Sequence, residues 1–369
     1  MNTFTDEVEL ITTSGVIALM NLNVQIDNLE RGAPGRLAAA QVSDLIDLLL
    51  LRGQILGRIA DYERATTLAE QLMDHASTDA SAFLARARTR ATLHRFEEAL
   101  ADLDEARRRG LDPAVVDAEC VAIFQALGRY NEALALCRLA VARQPDFATL
   151  GALAGLLAER KEIMAAEWLF SEARRRYQGV SPFPIALLDF QRGLMWLTQG
   201  ALYTARIWFA AAQRRVPAYV PALGHLAEVD AALGERAAAI SRLQPLTACS
   251  DDPEYAALLA KLLHEDGQSQ AARQWCSKAA ARYDELTTHH PAAFADHAAE
   301  FWLTTGGDVK KAVQLARQNL AIRQTRRAYA LLRRAALASA GGRNVRLQDR
   351  RCRTKLPSKS DAVSLIPNS

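Results

Sequence analysis

The chain has 369 residues, half of them apolar and only 7% aromatic, with 45 basic against 42 acidic residues for a net charge of +3. Its five cysteines form no CxxC pair and lie far apart, which excludes a zinc knuckle or a disulfide framework and fits packing thiols in a reducing compartment. Apolar runs are short, as in Leu48 to Leu51 between Asp47 and Arg52, and none approaches the roughly 20 residues of a membrane span.

In chain order, the segment 1–43 opens with Asp6, Glu7 and Glu9 and has no base before Arg31, the opposite of a secretory leader, so a cytoplasmic location is expected. Val16, Leu19, Met20, Val24 and Ile26 predict a helix from Gly15 to Arg31, ended by Gly32-Ala33-Pro34-Gly35 and read as a cap on the first repeating unit. From 44 to 322 a motif recurs, first as Asp61-Tyr62-Glu63-Arg64-Ala65, then Arg95-Phe96-Glu97-Glu98-Ala99, then Tyr130-Asn131-Glu132-Ala133, with looser copies ending at Ala166, Ala205, Ala239, Ala272 and Ala312. The alanines are spaced by 34, 34, 33, 39, 34, 33 and 40 residues. A fixed period of this size means a two-helix unit stacked on its own copies, since a lone amphipathic pair cannot bury its apolar face. Gly128, Gly200, Gly234, Gly267 and Gly307 fall at the turn inside a unit, and Pro145, Pro217 and Pro253 at or just before the start of the next. The longer intervals predict a loop around Tyr177 to Pro184 and an extended second helix ending near His289. A final helix over 323–342 exposes Arg326, Arg327, Arg333 and Arg334, and 343–369 reads as a basic, disordered tail. From Ala321 onward the chain carries 12 Lys or Arg against Asp349 and Asp361, a local +10 that leaves the body at −7.

These units resemble the tetratricopeptide repeat, in the manner of bacterial solenoids. The fifth carries the family's small and aromatic positions in Gly193, Trp196, Ala205, Phe209, Ala212 and Pro217, the fourth in Leu150, Leu153, Leu157, Ala166, Phe170 and Ala173, and the third in Ala133, Cys137, Ala140 and Pro145. Arg52, Arg86 and Arg90 depart from it, standing where the family keeps an apolar or aromatic residue, and Asn319 stands where it keeps a small one. The resemblance implies an all-α, right-handed α-solenoid of about eight two-helix units.

It also implies a concave groove lined by first helices that holds a peptide or a partner helix. The family's groove positions fall on Arg88, Glu119, Ala122, Gln125, Gly155, Gln191, His225, Glu228, Lys261, His264 and His297. A clamp for a terminal carboxylate needs Lys and Asn from successive first helices, and no Asn stands at the matching positions. No phosphate loop, nucleophile elbow or dinucleotide fingerprint is present, so no catalysis, cofactor or metal is expected. The expected function is a cytoplasmic scaffold that binds a protein or peptide. One alternative is a metal-dependent enzyme using His225, His264 and His297, two of which sit in His-x-x-Glu spacing with Glu228 and Glu300. Another is a nucleic-acid or membrane adaptor acting through the basic tail, although nucleic acid is not the expected partner because the tail lacks aromatic interleaving.

Overall fold

The computed structural model describes residues 10–31, 38–76 and 78–353. Among the described residues there are eighteen α-helices and no strand. Helix α1 (Gly15–Arg31) precedes eight units of two helices each. The first four are α2 (Ala39–Leu56) with α3 (Ile59–Ala76), α4 (Ala80–Thr92) with α5 (Phe96–Arg108), α6 (Pro113–Leu127) with α7 (Tyr130–Arg143), and α8 (Phe147–Glu159) with α9 (Ile163–Arg175). The rest are α10 (Pro182–Thr198) with α11 (Leu202–Arg215), α12 (Val220–Ala232) with α13 (Arg236–Cys249), α14 (Pro253–Glu265) with α15 (Ser269–His289), and α16 (Pro291–Leu303) with α17 (Val309–Ile322). Helix α18 (Arg326–Arg353) comes last. None of these helices is long and apolar enough to cross a membrane.

Local signals set the boundaries. Asp79, Asp112, Asp146 and Asp252 accept a hydrogen bond from a first-turn amide of α4, α6, α8 and α14, satisfying donors that a helix start leaves open. Proline occupies the first turn of α6, α10, α12, α14 and α16, where a missing amide costs nothing. All eight repeating alanines are buried, because a methyl group is what lets the second helix approach the first. The internal turns need a left-handed residue: Gly128 has φ 85° and Gly234 φ 86°, whereas the second and fourth units use His94 (φ 57°) and Lys161 (φ 67°) instead.

The arginines that depart from the repeat pattern are held by buried acids of the partner helix. Arg52 bonds both Asp61 oxygens at 2.6 and 2.8 Å, Arg86 bonds both Asp102 oxygens at 2.7 and 3.0 Å, and Arg90 adds a contact of 2.7 Å to Asp102. Arg174 meets Asp189 at 2.6 Å, and Arg242 meets Asp230 at 3.0 Å. Removing one member of such a pair strands a buried charge and costs about 3–5 kcal/mol, though the intact pair adds little over apolar packing.

The solenoid closes on itself. The turn inside the first unit rests on the loop before the seventh: Ser250 Oγ donates to the Gly57 carbonyl at 2.5 Å, and Asp251 accepts from the Ile59 and Ala60 amides at 2.6 and 3.1 Å. One unit on, neutral His94 donates from Nδ1 to the Ala292 carbonyl at 3.2 Å, in the first turn of the eighth unit. One unit further, the Gln324 amide donates to the Leu127 carbonyl at 3.1 Å and Arg323 to the Ala126 carbonyl at 3.3 Å. On the other side of the seam's start, the Thr13 amide donates to the Val180 carbonyl, and Arg215 donates to the Leu10 carbonyl. Each of the first three internal turns thus meets the connection six units later, and Ile55 and Leu56 share an apolar cluster with Val216, Tyr219 and Ala222 across the seam.

The structure departs from the sequence expectations at several points. The last helix runs past the expected stop at Gly341-Gly342 and continues to Arg353. Beyond those expectations, Asp251 caps α3 from a distant unit, and His290, the cap residue between α15 and α16, also meets Glu63 at 3.0 Å across the seam. Arginines at second-helix ends pair within the chain, Arg107 with Asp117, Arg109 with Glu105 and Arg176 with Glu172. The Gly32-to-Gly35 stop and the tail beyond Arg353 lie outside the described residues.

Candidate functional site

First helices touch one another from unit to unit along α2, α4 and α6, along α8 and α10, and along α12, α14, α16 and α18, so they form the inner wall. With the seam closed, that wall surrounds a lumen rather than an open groove. Its middle is a recess of about 480 Å³ between α6, α8 and α10. Ala118, Ala122, Gly151, Ala152 and Gly155 form its floor, and Gln125 and Gln191 reach into it. Small side chains on two first helices, α6 and α8, keep the backbone close to whatever enters, and the two amides offer both donors and acceptors.

Two cations stand at the rim, Lys161 in the turn of the fourth unit and Arg326 at the start of α18. Neither makes an ion pair among the described residues. Arg326 reaches the recess only because closure brings α18 over it. Ala122 also belongs to an adjoining recess of about 370 Å³ with Arg88, Glu119, His94 and Ala126. There Arg88 is already committed, bonding Asp47 and Glu119 at 2.7 Å each.

Thus Arg88, Glu119, Ala122, Gln125, Gly155 and Gln191 share one continuous pair of recesses, whereas His225, Glu228, Lys261, His264 and His297 line neither. His225 stacks on Phe209 with ring centres 5.2 Å apart and binds Glu228 through Nδ1 at 2.9 Å. Lys261 and His264 are exposed on α14. His297 lies on α16 with Nδ1 3.4 Å from Glu254 and Nε2 3.8 Å from Asp296. The Asp296 charge, then Glu254, raises the His297 pKa to about 9 against the opposing effect of burial. Asp296 in turn sits 3.1 Å from Arg323, which ties this cluster to the seam. On the other side of that arginine, burial and the Arg323 charge push His94 down to about 4, so its ring stays neutral.

The three histidines therefore do not converge. Among the described residues, no three His, Cys, Asp or Glu side chains gather as metal ligands. Sequence reasoning did not find Lys161, Arg326 or the latch residues Asp251, His94 and Arg323. For Lys161 a signal existed, a lysine where most sister units place glycine.

No family model matches the chain, and no curated protein matches it. Solved structures do resemble it. A monomeric mutant of IFIT1 with m7Gppp-AAAA aligns at TM-score 0.53 and 16% identity, over 86% of this chain and 76% of that one. The human IFIT1 dimer with PPP-AAAA aligns at TM-score 0.51 and 15% identity, over 88% and 79%. A chain of the APC/C hetero-tetramer Cut9-Hcn1 aligns at TM-score 0.49 and 15% identity, over 78% of this chain, which spans 55% of the length of that one. At such identities the likeness speaks for the fold alone, and that fold is a tetratricopeptide-like helical repeat.

Proposed function

We propose that the chain is a non-catalytic scaffold that captures an extended or helical segment of a protein partner inside its lumen. The observation that carries this reading is the recess built from Ala118, Ala122, Gly151, Ala152 and Gly155, with Gln125 and Gln191 able to bond the guest's peptide groups. Bulky guest side chains fit against such a floor, while Lys161 and Arg326 fix orientation by meeting an acidic group of the guest. An oligonucleotide, which the IFIT1 structures contain, fits this wall poorly. Its phosphates would meet Glu119 and Glu159, which line the two recesses, and carboxylates repel a polyanion.

The test is capture of partners from the native cell extract with the wild-type chain and with Ala122→Arg plus Gly155→Arg, which fills the recess with two charged side chains. Circular dichroism first establishes that both are equally helical. Loss of specific partners from the variant supports capture in the lumen. Identical captured sets refute it, and salt-sensitive binding lost on removing residues 343–369 would place the activity in the tail instead.

A further inference from the structure

The repeat provides its own control for the outer face of a second helix. Two positions before and two after the buried alanine, six units carry only Glu, Thr, Asn, Gln, Lys, Ser or Ala, from Glu63 and Thr67 in the first to Lys310 and Gln314 in the last. The fourth and fifth units alone carry large apolar residues there, Met164 and Trp168 on α9 and Tyr203 and Ile207 on α11. These are 78%, 61%, 73% and 50% exposed. The same register on neighbouring units, both packed against α10, makes two parallel ridges on the outer layer. Burial in the chain's own core does not require them, since sister units fold with polar residues at the same points. Trp, Tyr and Met are also the types that interfaces concentrate.

We infer that this face is where a second copy of the chain docks, through a two-fold contact of the α9 and α11 ridges with themselves. Three observations select that occupant. The patch is self-matching, because a two-fold axis lying in its plane sets apolar ridge on apolar ridge. The area suffices: the four side chains expose roughly 500–600 Å², given about 150–250 Å² for an aromatic, and doubling this reaches about 1,000–1,200 Å², where specific interfaces begin. Side chains flanking the ridges find partners within the chain, Arg160 with Glu162, Arg206 with Glu235, and Arg175 and Arg176 with the same Glu172, so apolar contact rather than a charge match drives the docking. The contact is independent of the lumen, which opens on the other side of the wall.

Sedimentation of the full chain over a range of concentrations tests this, with Trp168→Glu, Tyr203→Glu and, on the apolar outer face of α1, Met20→Glu as a control. The wild type and Met20→Glu are expected at twice the 40.5 kDa chain mass. Trp168→Glu and Tyr203→Glu, both at exposed positions and checked for unchanged helicity, are expected at the single mass, with self-association weakened at least about 30-fold as for a central interface aromatic. A wild type that stays single at high concentration overturns the inference and gives the face to another partner. A dimer that survives both Trp168→Glu and Tyr203→Glu overturns it as well.

Discussion

Asp251 makes the closure of the solenoid measurable. Its carboxylate accepts the first amides of α3, Ile59 at 2.6 Å and Ala60 at 3.1 Å, although the residues lie 192 and 191 positions apart in the chain. In Asp251→Ala the helix start loses its cap, about 0.5–2 kcal/mol, together with a negative charge at the positive end of the helix dipole, about 0.3–1 kcal/mol. The side chain is one-third exposed, and its 3.3 Å contact is with an Arg282 that is one-quarter exposed and also shared with Glu285, so that ion pair adds little. A local loss of about 1–2 kcal/mol results, which raises the population of the open seam about 5- to 30-fold. Hydrogen exchange reads this directly as faster exchange at Ile59 and Ala60, with smaller changes in helices far from the seam. Asp251→Asn, which keeps one acceptor oxygen but no charge, should lose less than Asp251→Ala. Unchanged exchange at Ile59 and Ala60 in Asp251→Ala, or equal losses in the two variants, would refute capping across the seam.

Three further outcomes are expected. A Cβ added at Gly224 would lie 2.5 Å from the buried Tyr255 ring, so Gly224→Ala should cost about 1–3 kcal/mol of overpacking. The nearest atom at Gly155 is 4.0 Å away, and there Gly155→Ala should gain about 0.5–1 kcal/mol from helix propensity; urea unfolding that ranks the two the other way contradicts the packing. Lys161→Gly should raise stability by about 0.5–1 kcal/mol by relieving its left-handed backbone, while His94→Gly should lower it because the ring holds the Ala292 carbonyl, a contrast that thermal melts can decide. Because the folded pKa of His297 is raised to about 9, its contribution is complete below the ordinary histidine value near 6.5 and is lost as pH rises through 9. Melting temperatures between pH 6 and 10 should therefore fall less steeply for His297→Gln than for the wild type, and parallel curves would contradict the pairing with Asp296 and Glu254.

What could be read from the chain depended on range. The alanines, the turn glycines and the unit count come from rules acting within one helix pair, and Ala122, Gln125, Gly155 and Gln191 meet in one recess because a correct register carries over from unit to unit. Arg52, Arg86 and Arg90 looked like faults in that register. Their acids stand 9 to 16 residues downstream at Asp61 and Asp102, so the pairing was visible in principle, as an arginine in a first helix matched to an aspartate in the second. Closure was not visible. It depends on the sum of small rotations over six units, and Glu63 and His290, 227 residues apart, carry no local mark of each other. For the same reason Arg326 could not be placed at the recess, and period alone cannot tell that the groove histidines stand apart.

An open array of repeats melts in stages, since each unit answers only to its neighbours. The latches change that thermodynamic character. Asp251, His94 and Arg323 join points 192, 198 and 197 residues apart, and closing a loop that long costs about 5 kcal/mol of chain entropy. That cost is incurred once, by whichever latch forms first, and the others then close with their partners already at hand. The seam therefore behaves as a zipper with a hard first step, coupling the first three units to the last two and to α18. Deleting one internal unit would shift every latch out of phase together, so this array should tolerate loss of a repeat far less well than a linear solenoid of the same length.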